Sequence, residues 1–248
     1  MTRSRILQLL TALAVALPGS VLAQDVDPVA DQVLRQMSAY LASADRFTVQ
    51  VESSDDYALG AGQVFELRTS VEVALRRPDK LRVDERGDHR RVTLFLDGGE
   101  VALVDDYAAT FAKASVSSQL DRALDELFDR FGVLVPIADM LYSDTYAAVM
   151  DGVLTGVYLG QHVLDGELMH HLAFTQETID WQVWIQTGAR PVPRRLVIIY
   201  KSEIGMPRLA YDLSDWDMAP ALPDHVFEFV PLPDAVEIEF ATPDSEGS

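Results

Sequence analysis

The sequence predicts an α+β fold in which an antiparallel sheet carries helices on one face. Three observations predict it. Short segments of alternating apolar and polar residues follow one another at hairpin-length intervals on both sides of a central helical stretch, the pattern of antiparallel meanders. Two amphipathic stretches, one ahead of the strands and one in the middle, each carry an apolar stripe that must be buried against something. No internal repeat, low-complexity tract or long linker divides the chain, so residues 24–248 are read as one domain.

Residues 1–23 have the layout of a secretory signal and are set apart from the fold. Arg3 and Arg5 form the basic start, Ile6 to Leu17 the apolar core, and Val21-Leu22-Ala23 a small-residue cleavage site. The apolar run is shorter than the about 20 residues of a membrane-spanning helix. The expectation is a soluble, exported, periplasmic protein, without a lipid on sulfur because the chain has no cysteine. Without disulfides, stability must come from a packed core.

The first helix starts where Asp27 can cap and Pro28 takes the first helical position, with Val29, Val33, Met37, Tyr40 and Leu41 as its stripe. Strands are expected at 47–53, 63–76, 80–87, 90–98 and 100–106, the last two joined by a turn at Asp97-Gly98-Gly99. A second helix follows, with Ser118 and Asp121 as a capping box, Leu120, Leu124, Leu127, Phe128 and Phe131 as the stripe, and Gly132 as the stop. Shorter helical turns are expected after Pro136 and near Tyr146. Strands then return at 153–164, 167–174, 180–186, 194–202, 208–216 and in a last segment, 227–231.

The stretch 169–188 holds two adjacent histidines and two tryptophans. A two-residue turn at Asp165-Gly166 and a turn centred on Glu177-Thr178 place Leu159 opposite Leu172, Gln161 opposite His170, Leu172 opposite Val183, Phe174 opposite Trp181 and His170 opposite Ile185. Because side chains alternate, His170, Leu172, Phe174, Trp181 and Val183 share the apolar face, while His162, His171 and Trp184 share the other. The adjacent histidines point apart and cannot hold one metal. His171 is expected to pack on Trp184. His170 is either a satisfied core group, bonded to Gln161 or a backbone carbonyl, or the group that orients a polar ligand head.

Other chemistries lack their residues. There is neither a cysteine nor a GxSxG elbow for nucleophilic hydrolysis. No HExxH or Cys/His cluster supplies a metal site, and the glycines of GAGQVFE (60–66) open a strand rather than a phosphate-binding helix. No metal, cofactor or catalytic residue is expected, and the protein is read as a non-enzyme. The acidic pairs Asp55-Asp56 and Asp105-Asp106 and the Asp215-Trp216-Asp217 triplet are read as solvated strand ends. The formal charge of −19, or −21 once Arg3 and Arg5 leave with the signal, repels phosphate backbones and anionic headgroups. Nucleic acid and stable membrane insertion are therefore not expected. The arginine doublets 76–77, 90–91 and 194–195 either pair with local carboxylates or ring the mouth of a cavity that takes an anionic headgroup.

RRPDKLRV (76–83), LFLDGGEVALVD (94–105), GVLVPIADML (132–141), HHLAFTQETIDWQVWI (170–185) and PRRLVIIYK (193–201) resemble a family of predicted bacterial periplasmic proteins known as a domain of unknown function. That family is similar in its order of elements to the lipoprotein-carrier superfamily of LolA, LolB and RseB. The resemblance implies a strongly curved half-barrel, an unclosed β-barrel of about eleven strands, with helices over its concave face and an apolar cavity. It implies a carrier of a lipid, an acyl chain or a lipoprotein, or alternatively an RseB-like module that engages another envelope protein without transport. The candidate cavity-lining residues are Val71, Val73, Leu75, Leu94, Leu96, His170, Leu172, Phe174, Trp181, Val183, Leu196, Ile198 and Tyr200. Each either lines a cavity or fills a solid core.

Overall fold

The computed structural model describes residues 25–59, 63–87 and 90–240; residues 1–23, read as a signal from their sequence, and the start of GAGQVFE lie outside them. After strand β1 (Asp25–Val26), helix α1 (Pro28–Ala42) precedes a meander of β2 (Arg46–Leu59), β3 (Gln63–Arg76), β4 (Lys80–Gly87), β5 (Arg91–Asp97), β6 (Glu100–Asp105) and β7 (Thr110–Ser115). Helix α2 (Leu120–Phe131), a 3₁₀ turn and helix α3 (Thr145–Met150) lead to a second meander. That meander is β8 (Thr155–Leu164), β9 (Glu167–Thr175), β10 (Ile179–Gln186), β11 (Pro193–Tyr200) and β12 (Arg208–Asp217), and β13 (Val236–Ile238) ends the order.

All thirteen strands join one open, curved sheet in the order β1-β8-β9-β10-β11-β12-β2-β3-β4-β5-β6-β7-β13. The two meanders fuse where β12 pairs antiparallel with β2. The strands from β8 to β7 are antiparallel throughout, and the count exceeds the expected eleven because β1 and β13 add short parallel pairings at the two edges.

One face of the sheet is apolar because residues of one parity line up across the registers: Val51 opposite Val71, Val73 opposite Val83, Val83 opposite Leu94. These residues share one core cluster with Leu34, Met37 and Leu41 of α1, Leu120, Leu124 and Leu127 of α2, and Val149 of α3. Each such side chain, fully buried, contributes about 1.5–3 kcal/mol.

The helical stripes hold at Val33, Met37 and Leu41 of α1 and at Leu120, Leu124 and Leu127 of α2, and differ at single positions. In α1, Ala30, Val33, Leu34, Met37 and Leu41 are buried, while Val29 is 46% exposed in the first turn. In α2, Ala123 takes the inward place and Phe128 is 56% exposed. Asp27 does cap α1, its carboxylate accepting from the Val29 N–H at 2.7 Å. The capping box at Ser118 is absent: Gln119 is the cap, and the Asp121 carboxylate instead accepts from the Ser143 N–H at 3.0 Å and from the Ser143 hydroxyl. Asp121 is thereby used to anchor the chain that enters α3.

Two further expectations are corrected. Strand β7, TFAKAS, went unread because its alternation is carried by small residues. The 227–231 segment is no strand but lies on the other face of the sheet. There Phe227 is buried against Ala74 and Leu222, and Phe229 sits between Phe95 and Phe111 at ring distances of 5.7 and 5.0 Å. Beyond it β13 pairs with β7, and Phe240 stacks on Phe131 of α2 at 4.5 Å. The C-terminal segment thus runs across the outer face and around the β7 edge.

Candidate functional site

A cavity of about 750 Å³ lies between the apolar face of the sheet and the helical cover. Leu34 and Met37 of α1, Val149 of α3 and the 134–140 segment line one side of it. Strands β2, β3, β4, β10, β11 and β12 line the other. Helices α1 and α3 are tied beside it. The Arg35 guanidinium donates to the Tyr146 hydroxyl at 2.8 Å and lies 3.8 Å over its ring, while that hydroxyl donates to Asp31. Hydrogen bonds from Arg35 and Tyr146 hold the Asp31 carboxyl below its ordinary range.

Of the candidate residues, Val71, Trp181, Val183, Leu196, Ile198 and Tyr200 line this cavity. Val73, Leu75, Leu94, Leu96, Leu172 and Phe174 sit within the solid core, at most 4% exposed, and do not border it. They share the inward parity and belong to the same buried cluster as the helix stripes. His170 does not border it either. Its Nδ1 meets the Tyr158 hydroxyl at 2.9 Å, so the partner is Tyr158 rather than Gln161, and burial lowers its pKa.

The pairing of the histidine hairpin holds at His170 with Gln161 and Ile185, Leu172 with Val183, and Phe174 with Trp181. Leu172 is opposite Tyr158, not Leu159, because a bulge at Leu159 shifts the strand by one residue. His171 stacks on Trp184 at 3.9 Å, with His162 at 5.2 Å on the same face. Its Nε2 is engaged by Gln182 at 3.0 Å. No cluster of three metal-ligating side chains occurs among the described residues.

Of the polar residues that border the cavity, Tyr200 was expected, whereas Asp55, Glu85, Asp139 and Tyr211 were not. Burial raises the carboxyl pKa of Asp55, with Asp56 adding to it, and of Asp139, with Asp151 adding. For Glu85 burial also raises the value, opposed by Arg90. Tyr211 is raised by burial first and then by coupling to Tyr200, Asp55, Glu85 and Asp139. Asp55 was legible only by extending the inward parity of Phe47, Val49 and Val51 past residue 53, the point at which the alternating apolar signal stops.

The arginine doublets mostly hold carboxylates. Arg76 pairs with Asp224, Arg195 with Asp212, Arg194 with Glu167 at 3.5 Å and Arg90 with Glu85 at 3.7 Å, while Arg77 donates to the Tyr142 carbonyl at 3.1 Å. Of the six, only Arg90 reaches the cavity. The ring of cations for an anionic head is therefore not present.

The sequence profile of a family described as "Predicted periplasmic protein (DUF2092)" matches residues 30–241. The chain belongs to this family. It is the family of predicted periplasmic proteins that the motifs between residues 76 and 201 resemble. Similar solved structures of lower identity surround this DUF2092 member. The lipoprotein LppX of Mycobacterium tuberculosis is 17% identical over 79% of this chain and 100% of that one, with a TM-score of 0.49. A LolA superfamily protein from Nitrosomonas europaea is 13% identical over 81% and 97%, with a TM-score of 0.40. A chain of the Pseudomonas aeruginosa MucA/MucB complex is 11% identical over 82% and 61%, with a TM-score of 0.43. No curated protein matches the chain. No helix among the described residues is long and apolar enough to cross a membrane.

Proposed function

We propose that this DUF2092 member is a soluble periplasmic binding protein or carrier that shelters an acyl chain or similar lipophilic group, free or as part of a lipid or lipoprotein. The observation that carries the reading is the 750 Å³ cavity bordered by Leu34, Met37, Trp181, Val183, Leu196 and Ile198. Spaces of about 300–1,000 Å³ with mostly apolar walls hold small-molecule ligands. Each methylene moved from water into such walls contributes about 0.8 kcal/mol, against which the cost of association is set. The role is binding, with no cofactor and no chemical step.

The test is native mass spectrometry of protein purified from its own periplasm, followed by lipid extraction, with uptake of a neutral lipophilic dye such as N-phenylnaphthylamine as a second measurement. The expected result is a bound lipophile or dye uptake, reduced in Leu196→Trp and Ile198→Trp, which fill the cavity. Protein free of lipid that also ignores the dye overturns the reading.

A second reading, an envelope-protein interaction module, is favoured by the β8 edge. Among the described residues only Thr155 and Gly156 are paired there, with β1, and Val157, Leu159 and Val163 are 48%, 46% and 70% exposed. Recovery of a stoichiometric envelope partner by protein with an empty cavity selects this reading over the first.

A further inference from the structure

The cavity opens where residues that border it are also exposed. On the sheet these include Tyr57, 51% exposed, and Leu67, 45%, and on the cover Leu134, 76%. The inward row of β2 runs Val51, Ser53, Asp55, Tyr57, opposite Val71, Thr69, Leu67 and Phe65 of β3. Val51 and Val71 belong to the buried cluster, whereas Tyr57, Leu67 and Phe65 are exposed. Residues of the concave face therefore continue out of the cavity into solvent. A second apolar projection stands beside them. Strand β12 pairs with β2 from Leu209, opposite Asp55, so the β11–β12 turn, 201–207, lies next to the outer part of β2, with Arg208 4.0 Å from Asp56. That turn carries Ile204, 94% exposed, and Met206, also exposed.

Exposed apolar surface gathered around an opening marks an interaction site. Its continuity with the cavity wall points to the partner, because the lipophile that the cavity shelters resides in bilayers rather than in water. The shape agrees. Side chains on a projecting turn, such as Ile204, offer a folded protein no groove or flat face, but they enter a fluid interface without needing a matching surface. Tyr57, with an apolar ring and a polar tip, suits the headgroup level. Charge then selects the kind of lipid. The two cations that border the cavity, Arg68 and Arg90, pair with Glu66 at 2.6 Å and Glu85 at 3.7 Å, and Arg208 beside them lies near Asp56. Asp139 and Asp151 also border the cavity and are in no ion pair among the described residues. Anionic headgroups, which are held by free cations, are therefore disfavoured, and a zwitterionic surface fits.

We propose that this end of the molecule docks reversibly on a zwitterionic lipid surface. Leu134, Ile204 and Met206 enter the headgroup region, and the row Phe65, Leu67, Tyr57 leads a chain from the surface into the cavity. The assignment rests on the chain-binding reading of the cavity and adds the source of the ligand and its way in.

Flotation with phosphatidylcholine vesicles, read as a partition coefficient, tests it, with uptake of N-phenylnaphthylamine from water as the second readout. Wild type is expected to float with these vesicles, and less when phosphatidylglycerol is added to them. Ile204→Ser with Met206→Ser, at positions that do not border the cavity, lowers the partition coefficient at least about tenfold and leaves dye uptake unchanged. Val163→Ser with Leu168→Ser, an exposed cross-strand pair at the opposite end of β8 and β9, leaves both unchanged. Wild type that stays in the aqueous phase, tighter binding to the anionic vesicles, or equal losses in the two double variants overturns the docking assignment. Dye uptake in the same protein then leaves the chain-binding reading standing. Sedimentation without vesicles asks whether a second copy covers the surface: a dimer that Ile204→Ser with Met206→Ser makes monomeric also overturns the assignment. Protein that neither floats nor takes up the dye overturns both readings.

Discussion

Gly156 of β8 has no side chain because Phe174 occupies the space. A Cβ built there meets the Phe174 ring at 2.7 Å and the Val26 side chain at 3.0 Å. Phe174 cannot yield easily, since it stacks on Trp181 at 4.2 Å and is 2% exposed. Gly156→Ala is expected to destabilise the fold by about 1–3 kcal/mol, the usual cost of overpacking a core, measured as a shift of the urea midpoint at unchanged slope. An unchanged midpoint would show the ring to be mobile. The carboxyl of Glu85 predicts a gain instead. Its folded pKa is raised by burial, so the folded state is penalised above that value and the penalty disappears as pH falls through it to the unfolded range. Glu85→Gln is therefore expected to melt above wild type at pH 7, with the difference closing near pH 4; a variant that melts below wild type at both contradicts the sign. Asp31 has the opposite sign. Its lowered pKa stabilises the fold above the ordinary carboxylate range, and that contribution is lost in acid.

At the scale of the element, helix boundaries and most of each apolar stripe were legible, and single positions such as Val29 and Phe128 were not. Pro28 and Gly132 fix ends through backbone geometry, Gly132 at φ 65°, whatever the helix packs on. Which of Ala123 and Phe128 turns inward depends on the curvature of the sheet beneath, which no window of sequence contains. Strands with large alternating residues, such as β3 and β4, were read to the residue, whereas β7 has too little apolar contrast to register. The C-terminal segment, read as a strand from its aromatic alternation, uses Phe227 and Phe229 as pegs on the outer face instead. That difference has a measurable consequence. Phe227, fully buried against Ala74 and Leu222, should cost about 3–5 kcal/mol on replacement by alanine, whereas Phe128→Ala, at an exposed position, should stay within about 0.5 kcal/mol. Equal effects in denaturant unfolding would place the two rings in the same environment and contradict the packing.

At the scale of the whole molecule, topology makes the cavity and charge sets its stability. Pairing β12 with β2 puts the start of the first meander beside the end of the second, so the outer strands of both meanders, β7 and β8, lie toward opposite ends of the sheet, flanked by β13 and β1. The chain between them, carrying α2 and α3, must then cross the apolar face, and a cover held over a curved sheet leaves space where side chains do not meet. That the inward face is apolar was legible from parity, but where it stays solid and where it opens was not, because Leu94 and Leu196 look alike in sequence and differ only in what lies above them. The formal charge of −19 acts across this whole body. Most of the ion pairs are partly exposed, such as Arg35 with Asp31, and exposed pairs contribute about 0–1 kcal/mol each, so screening them loses little. Screening the mutual repulsion of the excess carboxylates gains more, since raising ionic strength from about 0.01 M to about 0.15 M shortens the Debye length from about 30 Å to about 8 Å. The melting temperature is therefore expected to rise over that range of sodium chloride, by calorimetry at pH 7, and to rise less at pH 4, near the ordinary carboxylate range, where the net charge is smaller. A fall with salt would mean that the ion pairs outweigh the net repulsion.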